Sequence, residues 1–146
     1  MGVAVTIRGK KFPLCLTVAA VDQLNEKCGG IGGIMDFLRG NPEQTEGLNE
    51  AQLQQLAQEA ASRAKYNNAW MLGLLIREGE ENRIMEARFD GGDVERRPVP
   101  GPEDMVHLLT PGQIEDYRLS IIMAITESLK RTLEATPKNG FQGAEE

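Results

Sequence analysis

The first apolar positions of the chain recur at every second residue. Val3, Val5 and Ile7 alternate with Ala4, Thr6 and Arg8, the period of a strand. Gly9-Lys10 offers a tight turn, and Phe12, Leu14 and Leu16 alternate again, so residues 3–16 read as a β-hairpin. Pro13 has no N–H to give to a ladder, which places the second strand at an edge. A lone hairpin is marginal in water, so its apolar face needs a cover. From Thr17 onward the period lengthens to that of a helix. Thr17 suits an N-cap for a helix over 18–27, with Val18, Val21 and Leu24 at helical spacing, and Gly29 or Gly30 ends it. A short helix over 33–39 turns Ile34, Phe37 and Leu38 inward before Gly40-Asn41-Pro42 stops it, and residues 40–49 read as a loop.

Asn49 with Gln52 forms the pattern of a capping box, and a long helix is expected over about 50–78. Its inner line runs Leu53, Ala57, Ala60, Ala64, Asn67 or Asn68, Met71 and Leu75. Trp70, Leu72, Leu74 and Ile76 make its second half apolar nearly all round, and such a helix is either buried or meets a partner. The pattern breaks over 79–102. There Asp90-Gly91-Gly92-Asp93 signals a turn between extended pieces at 83–89 and 94–99, a mobile loop or a second short hairpin. Residues 103–109 suit a short helix. Thr110-Pro111 then starts a helix expected to reach about residue 135, with Ile114, Tyr117, Ile121, Ile125, Leu129 and Leu133 as its inner stripe. Leu119, Ile122 and Met123 widen that stripe, and Pro137 ends the helix. The fold class is therefore mainly α, one domain over 1–136. An N-terminal β-hairpin packs on a bundle of four to five helices, and 137–146 is a flexible tail.

Composition narrows the function. Aromatic residues are only 5% of the 146, so Leu, Ile, Met, Val and Ala must build the core. The net charge of −6 opposes binding to nucleic acid or to an anionic membrane surface. The longest apolar stretch, about 69–76, is too short to span a bilayer, and no secretory leader pattern opens the chain. Two cysteines, Cys15 and Cys28, at apolar-periodic positions read as core residues rather than a disulfide scaffold. These features point to the cytosol.

No constellation for catalysis stands out. His107 is the only histidine and has no ligand pattern beside it. Gly29-Gly30-Ile31-Gly32-Gly33 lacks the Gly-Lys-Ser/Thr end of a phosphate loop and follows a helix, so it reads as a bend between helices. Asp90, Asp93 and Glu95 fall short of a calcium loop. No metal, cofactor or catalytic residue is assigned. What remains is apolar surface. Trp70, Met71, Leu74 and Leu75 are first of all core candidates, and as a function candidate they form a groove for a partner helix. Self-association is also expected, through the edge strand 12–16 and the helix 64–76.

The opening Val5-Thr6-Ile7-Arg8-Gly9-Lys10-Lys11-Phe12-Pro13-Leu14, followed by a helix carrying Val21-Asp22-Gln23-Leu24-Asn25, resembles the start of tail assembly chaperones of long-tailed bacteriophages and prophages. In that family a strand of the type Lys-x-Phe/Tyr-Pro-Leu leads into a Thr-capped helix. Leu109-Thr110-Pro111-Gly112-Gln113-Ile114-Glu115 and the amphipathic stretch after it are similar to the family's last helix. The 79–102 segment departs from the pattern. The resemblance implies a short-form chaperone without catalytic activity. It implies binding to the tape measure protein in the cytoplasm of the bacterial host, with the tail-tube protein as a possible second partner and no place in the mature virion. The alternative is a structural component of the tail or head-tail connector that stays in the particle.

Overall fold

Val3–Ile7 (β1) and Lys10–Leu14 (β2) pair antiparallel, with Val5 opposite Phe12 and Ile7 opposite Lys10. The turn is Arg8-Gly9, one residue earlier than the sequence suggests. Arg8 has φ 51° and Gly9 φ 82°, the left-handed pair that matches the twist of a two-residue hairpin. Val5, Ile7, Phe12 and Leu14 are buried on one face, while Thr6 and Lys11 face solvent on the other. The computed structural model describes residues 2–41 and 45–130.

Helix α1, Val18–Cys28, starts where expected. The Thr17 hydroxyl oxygen accepts from the Ala20 amide at 3.1 Å and the hydroxyl donates to Glu78 Oε1 at 2.5 Å, so one side chain caps α1 and ties it to the long helix. Ala20 and Leu24 set the buried face. Val18, expected inside, sits nearly on the opposite side of the helix and is 90% exposed. Helix α2, Ile34–Leu38, buries Ile34, Phe37 and Leu38 as the periodicity indicates.

The last carbonyls of α2 lack helical partners, as at any helix end. Three side chains of the next helix bond to the end of α2 and the turn after it. Asn67 Nδ2 donates to the Phe37 carbonyl at 2.8 Å, Asn68 Nδ2 to that of Leu38 at 2.9 Å, and Arg63 Nε to that of Gly40 at 2.8 Å. Asn68 is 2% exposed and also donates to its own helix at Ala64, so both N–H groups of its side chain are engaged. Asn68→Ala strands the Leu38 carbonyl and leaves a void. It is expected to cost about 2 kcal/mol by chemical denaturation, within the range for a buried polar group losing its partner.

Helix α3, Glu50–Phe89, has 40 residues and a length of about 60 Å. The Asn49–Gln52 capping box forms at its start. Its end differs from the sequence expectation: the helix does not stop near 78, residues 83–89 are its last two turns, and 94–99 forms no strand, so there is no second hairpin. Gly79, the first residue past the expected helix end, is retained inside the helix. The residues after it are good helix formers, and Glu80 pairs with Arg83 one turn on. Asp90-Gly91-Gly92 ends α3, with the Asp90, Gly91 and Gly92 amides donating to the carbonyls of Glu86, Arg88 and Ala87. Gly91, at φ 86°, adopts the conformation this stop requires.

Two glycines of α3 let backbone meet backbone. A Cβ on Gly73 would lie 2.5 Å from the Gly101 carbonyl carbon and from Pro102 Cα, where α4, Pro102–Leu108, crosses. A Cβ on Gly79 would lie 2.6 Å from the Pro13 carbonyl carbon and closer still to its oxygen. Beside that contact the Cys15 amide donates to the Leu75 carbonyl at 3.2 Å. The β2 edge is thus closed by α3. Both surfaces expected to serve self-association, the 12–16 edge and the 64–76 helix, are largely used inside the chain.

Thr110 caps the last helical stretch, but it is not one helix. Pro111–Ile114 (α5) passes through a tighter turn at Glu115–Tyr117 into α6, Arg118–Leu129. Ile114, Ile121 and Ile125 are buried as expected, whereas Leu119, Met123 and Leu129 are exposed. The re-phasing at Glu115–Tyr117 narrows the buried stripe of α6. The expected continuation to residue 135 with Leu133, the stop at Pro137 and the 137–146 tail lie outside the described residues.

Candidate partner-binding surface

The fold places the four candidate groove residues inside. Met71, Leu74 and Leu75 are 0% exposed, between the hairpin, α4 and α6, and Trp70 is 7% exposed. The Trp70 ring meets Phe37 edge-on with centroids 5.8 Å apart, and Lys27 Nζ lies 4.8 Å from its centroid, closing it from solvent. The apolar run 69–76 is covered on its sides by elements of its own chain.

The apolar surface that is free lies elsewhere. Met85 is 56% exposed and Phe89 is 92% exposed, four residues apart on the last turns of α3. Glu86 and Asp90 flank them. Leu119 and Met123 form a second pair at the same spacing on the outer face of α6. Sequence reasoning missed the first pair because it read 83–89 as extended, which separates the two side chains. The signal was the four-residue spacing itself.

A charged cluster fixes the segment after α3. Glu80 is 1% exposed. Its carboxylate accepts from Arg83 Nε and Nη2 at 3.0 and 2.6 Å, and from the Arg97 amide and Nε at 2.7 and 3.1 Å. The Arg83 guanidinium in first place, with the Arg97 bonds, outweighs burial and holds the Glu80 carboxyl down at about 2. Arg83 also donates to the Glu95 carbonyl at 2.8 Å, and Arg96 pairs with Glu81. The 90–101 stretch is therefore pinned along α3 rather than paired as strands.

The residues weighed for chemistry are not brought together. Cys15 and Cys28 are half-buried, and burial pushes both thiols up, away from a reactive thiolate. His107 is exposed on α4. Asp90, Asp93 and Glu95 lie on the exposed stretch after α3. Among the described residues no group of three or more His, Cys, Asp or Glu is arranged to hold a metal ion. No helix among them is long and apolar enough to cross a membrane. Comparison of the chain with protein-family models, with curated proteins and with solved structures gave no match.

Proposed function

We propose that this chain is a tail assembly chaperone of a long-tailed phage or prophage, which binds the tape measure protein before the tail tube polymerises around it. The observation that carries the reading is the Met85–Phe89 pair, apolar and exposed on a helix held rigid by its buried middle. A flexible thioether beside an aromatic ring suits the apolar face of a partner helix, and the flanking Glu86 and Asp90 favour basic residues beside that face. The hairpin motif ending in Lys11-Phe12-Pro13-Leu14 and the Thr17-capped helix support it through their likeness to that family. The action is non-catalytic and takes place in the bacterial cytoplasm, with the tail-tube protein as a second partner.

Co-expression with the tape measure protein of the same phage tests this. The expected result is a soluble tape measure protein that co-purifies with the chain. A tape measure protein that stays insoluble and unbound beside a folded chain rejects the reading. The double variant Met85→Gln/Phe89→Gln is expected to lower the melting temperature by no more than a few degrees, because Phe89 faces water and Met85 is more than half exposed. It should weaken capture about tenfold or more, the effect of losing an interface anchor. Undiminished capture would move the surface away from the end of α3.

A further inference from the structure

The two strands of the hairpin have different outer edges. The Arg8-Gly9 turn makes Ile7 and Lys10 a hydrogen-bonded pair, so Val5 with Phe12 and Val3 with Leu14 bond across the hairpin as well. Ala4 and Thr6 of β1 then point their amides and carbonyls outward, as do Lys11, Pro13 and Cys15 on the other side. The β2 side is protected: Pro13 offers no N–H, its carbonyl rests on Gly79, and the Cys15 amide is bonded to Leu75. On β1, among the described residues, the amides of Ala4 and Thr6 and the Ala4 carbonyl have no partner, and the Thr6 carbonyl receives only the Tyr117 hydroxyl at 3.4 Å. Thr6 is exposed and Ala4 half-buried on this edge, with α6 packed against the strand, and backbone groups without partners are rarely buried. The strand's sequence, Val-Ala-Val-Thr-Ile, carries none of the charge or proline by which edge strands avoid pairing.

We propose that β1 is the interface of a homodimer, in which two copies join their hairpins edge to edge into one four-stranded antiparallel sheet. A two-fold axis at Val5 sets Val5 against Val5 of the second copy, and Ala4 against its Thr6. That register gives every free amide and carbonyl of Ala4 and Thr6 a partner, and it places Val3 beside Ile7 of the other copy on the core-facing side. An edge that is complementary to itself in this way is what an isologous contact requires. The charges agree. Arg8, Lys10 and Lys11 at the turn form no ion pair among the described residues, and neither does Glu86. Glu86 shares a cleft with Gly2 and Val3 at the far end of β1. Antiparallel pairing brings the basic turn of each copy to the end of the other that holds Glu86, where Arg83 in the same cleft is already paired with Glu80. The dimer rests on the outer edge of β1 and not on the tail-assembly reading, although Glu86 lies beside both surfaces.

Sedimentation equilibrium over a wide dilution series tests the interface. The wild-type chain is expected to run at twice the monomer mass and to dissociate on dilution. Ala4→Pro removes an outward amide at an edge position of the kind that tolerates proline, and Thr6→Lys places a cation on an exposed side chain at the seam. Both are expected to be monomeric with unchanged circular dichroism. A wild-type chain that is monomeric throughout, or a dimer that survives in both folded variants, overturns the proposal. Should the variants fail to fold, hydrogen exchange on the wild-type chain decides. Protection of the Ala4 and Thr6 amides that disappears on dilution supports the dimer. Fast exchange at every concentration overturns it, as does protection that ignores concentration, which would mean that the chain covers its own edge.

Discussion

Gly79→Ala is expected to lower the melting temperature by roughly 10 °C, a loss of about 3 kcal/mol for a chain of this size. Helix propensity alone argues the other way, since alanine is better than glycine in a helix interior by about 1 kcal/mol. The contact decides the sign. The added methyl would meet the Pro13 carbonyl carbon at 2.6 Å, and the next nearest atom, the Leu14 amide nitrogen, stands at 3.2 Å. Both are backbone, so no side chain can turn aside. Relief requires β2 to lift from α3, which breaks the Cys15 to Leu75 bond and opens the packing of Phe12 and Leu14. Far-UV circular dichroism should therefore show most of the helix retained at low temperature while unfolding moves down. Gly112→Ala is the control: nothing lies within 4 Å of the added atom, and the change should be neutral or slightly stabilising. A Gly79→Ala chain as stable as the wild type would mean that β2 does not rest on α3 at this point.

Most of the architecture was legible because local signals agreed with one another. The alternation at 3–16, the Thr17 and Thr110 caps and the Asn49–Gln52 box each mark an element that the structure contains. The errors have a common physical source. The helix was expected to end near residue 78, and a glycine such as Gly79, without neighbours to consult, signals weakness in a helix. Its role is contact with a strand 66 residues earlier in the chain, and no local pattern records that. Glu78 and Glu80, on either side, look like a solvated face in the sequence. One receives the Thr17 hydroxyl and the other two arginines, and both are buried. Likewise the apolar run 69–76 cannot say whether its surroundings are its own chain or another. The answer lay in α4, whose start at Gly101 and Pro102 lies backbone to backbone against Gly73.

The candidate surface was harder to read for the same reason. Trp70, Met71, Leu74 and Leu75 carry the strongest apolar signal, and that strength is what places them in the core. Met85 and Phe89 are separated by charged and small residues and give a weak signal, yet they are the side chains the fold leaves in water. An edge strand shows the complementary case. Pro13 marked β2 as an edge, correctly in its chemistry, but the neighbour that closes that edge is a helix. On the unmarked strand, β1, the outward amides of Ala4 and Thr6 have no partner among the described residues.

Glu80→Gln is expected to cost roughly 3 kcal/mol near neutral pH, and the cost should vanish in acid. The Glu80 carboxyl is held at about 2 in the folded chain, against an ordinary value of 4.5. A carboxyl with a depressed value binds fewer protons when folded than when unfolded. Its stabilisation is complete above about pH 5 and is lost as pH falls from the ordinary value toward the folded one. Glutamine keeps the shape and can still accept from the Arg97 amide, so the variant removes charge more than packing. Glu115 is also held below its ordinary value by Lys65 and Arg118, but that contribution is common to both chains and cancels in the difference. Urea unfolding of the two chains from pH 7 to pH 2 should show curves that start apart and converge. Trypsin gives a second reading at neutral pH: the Arg96–Arg97 bond should be cut faster in the variant, since Glu80 is what holds Arg97 down. Curves that stay parallel down to pH 2 would mean that the buried carboxylate contributes through packing alone, and that the 90–101 stretch is held by something other than its charge.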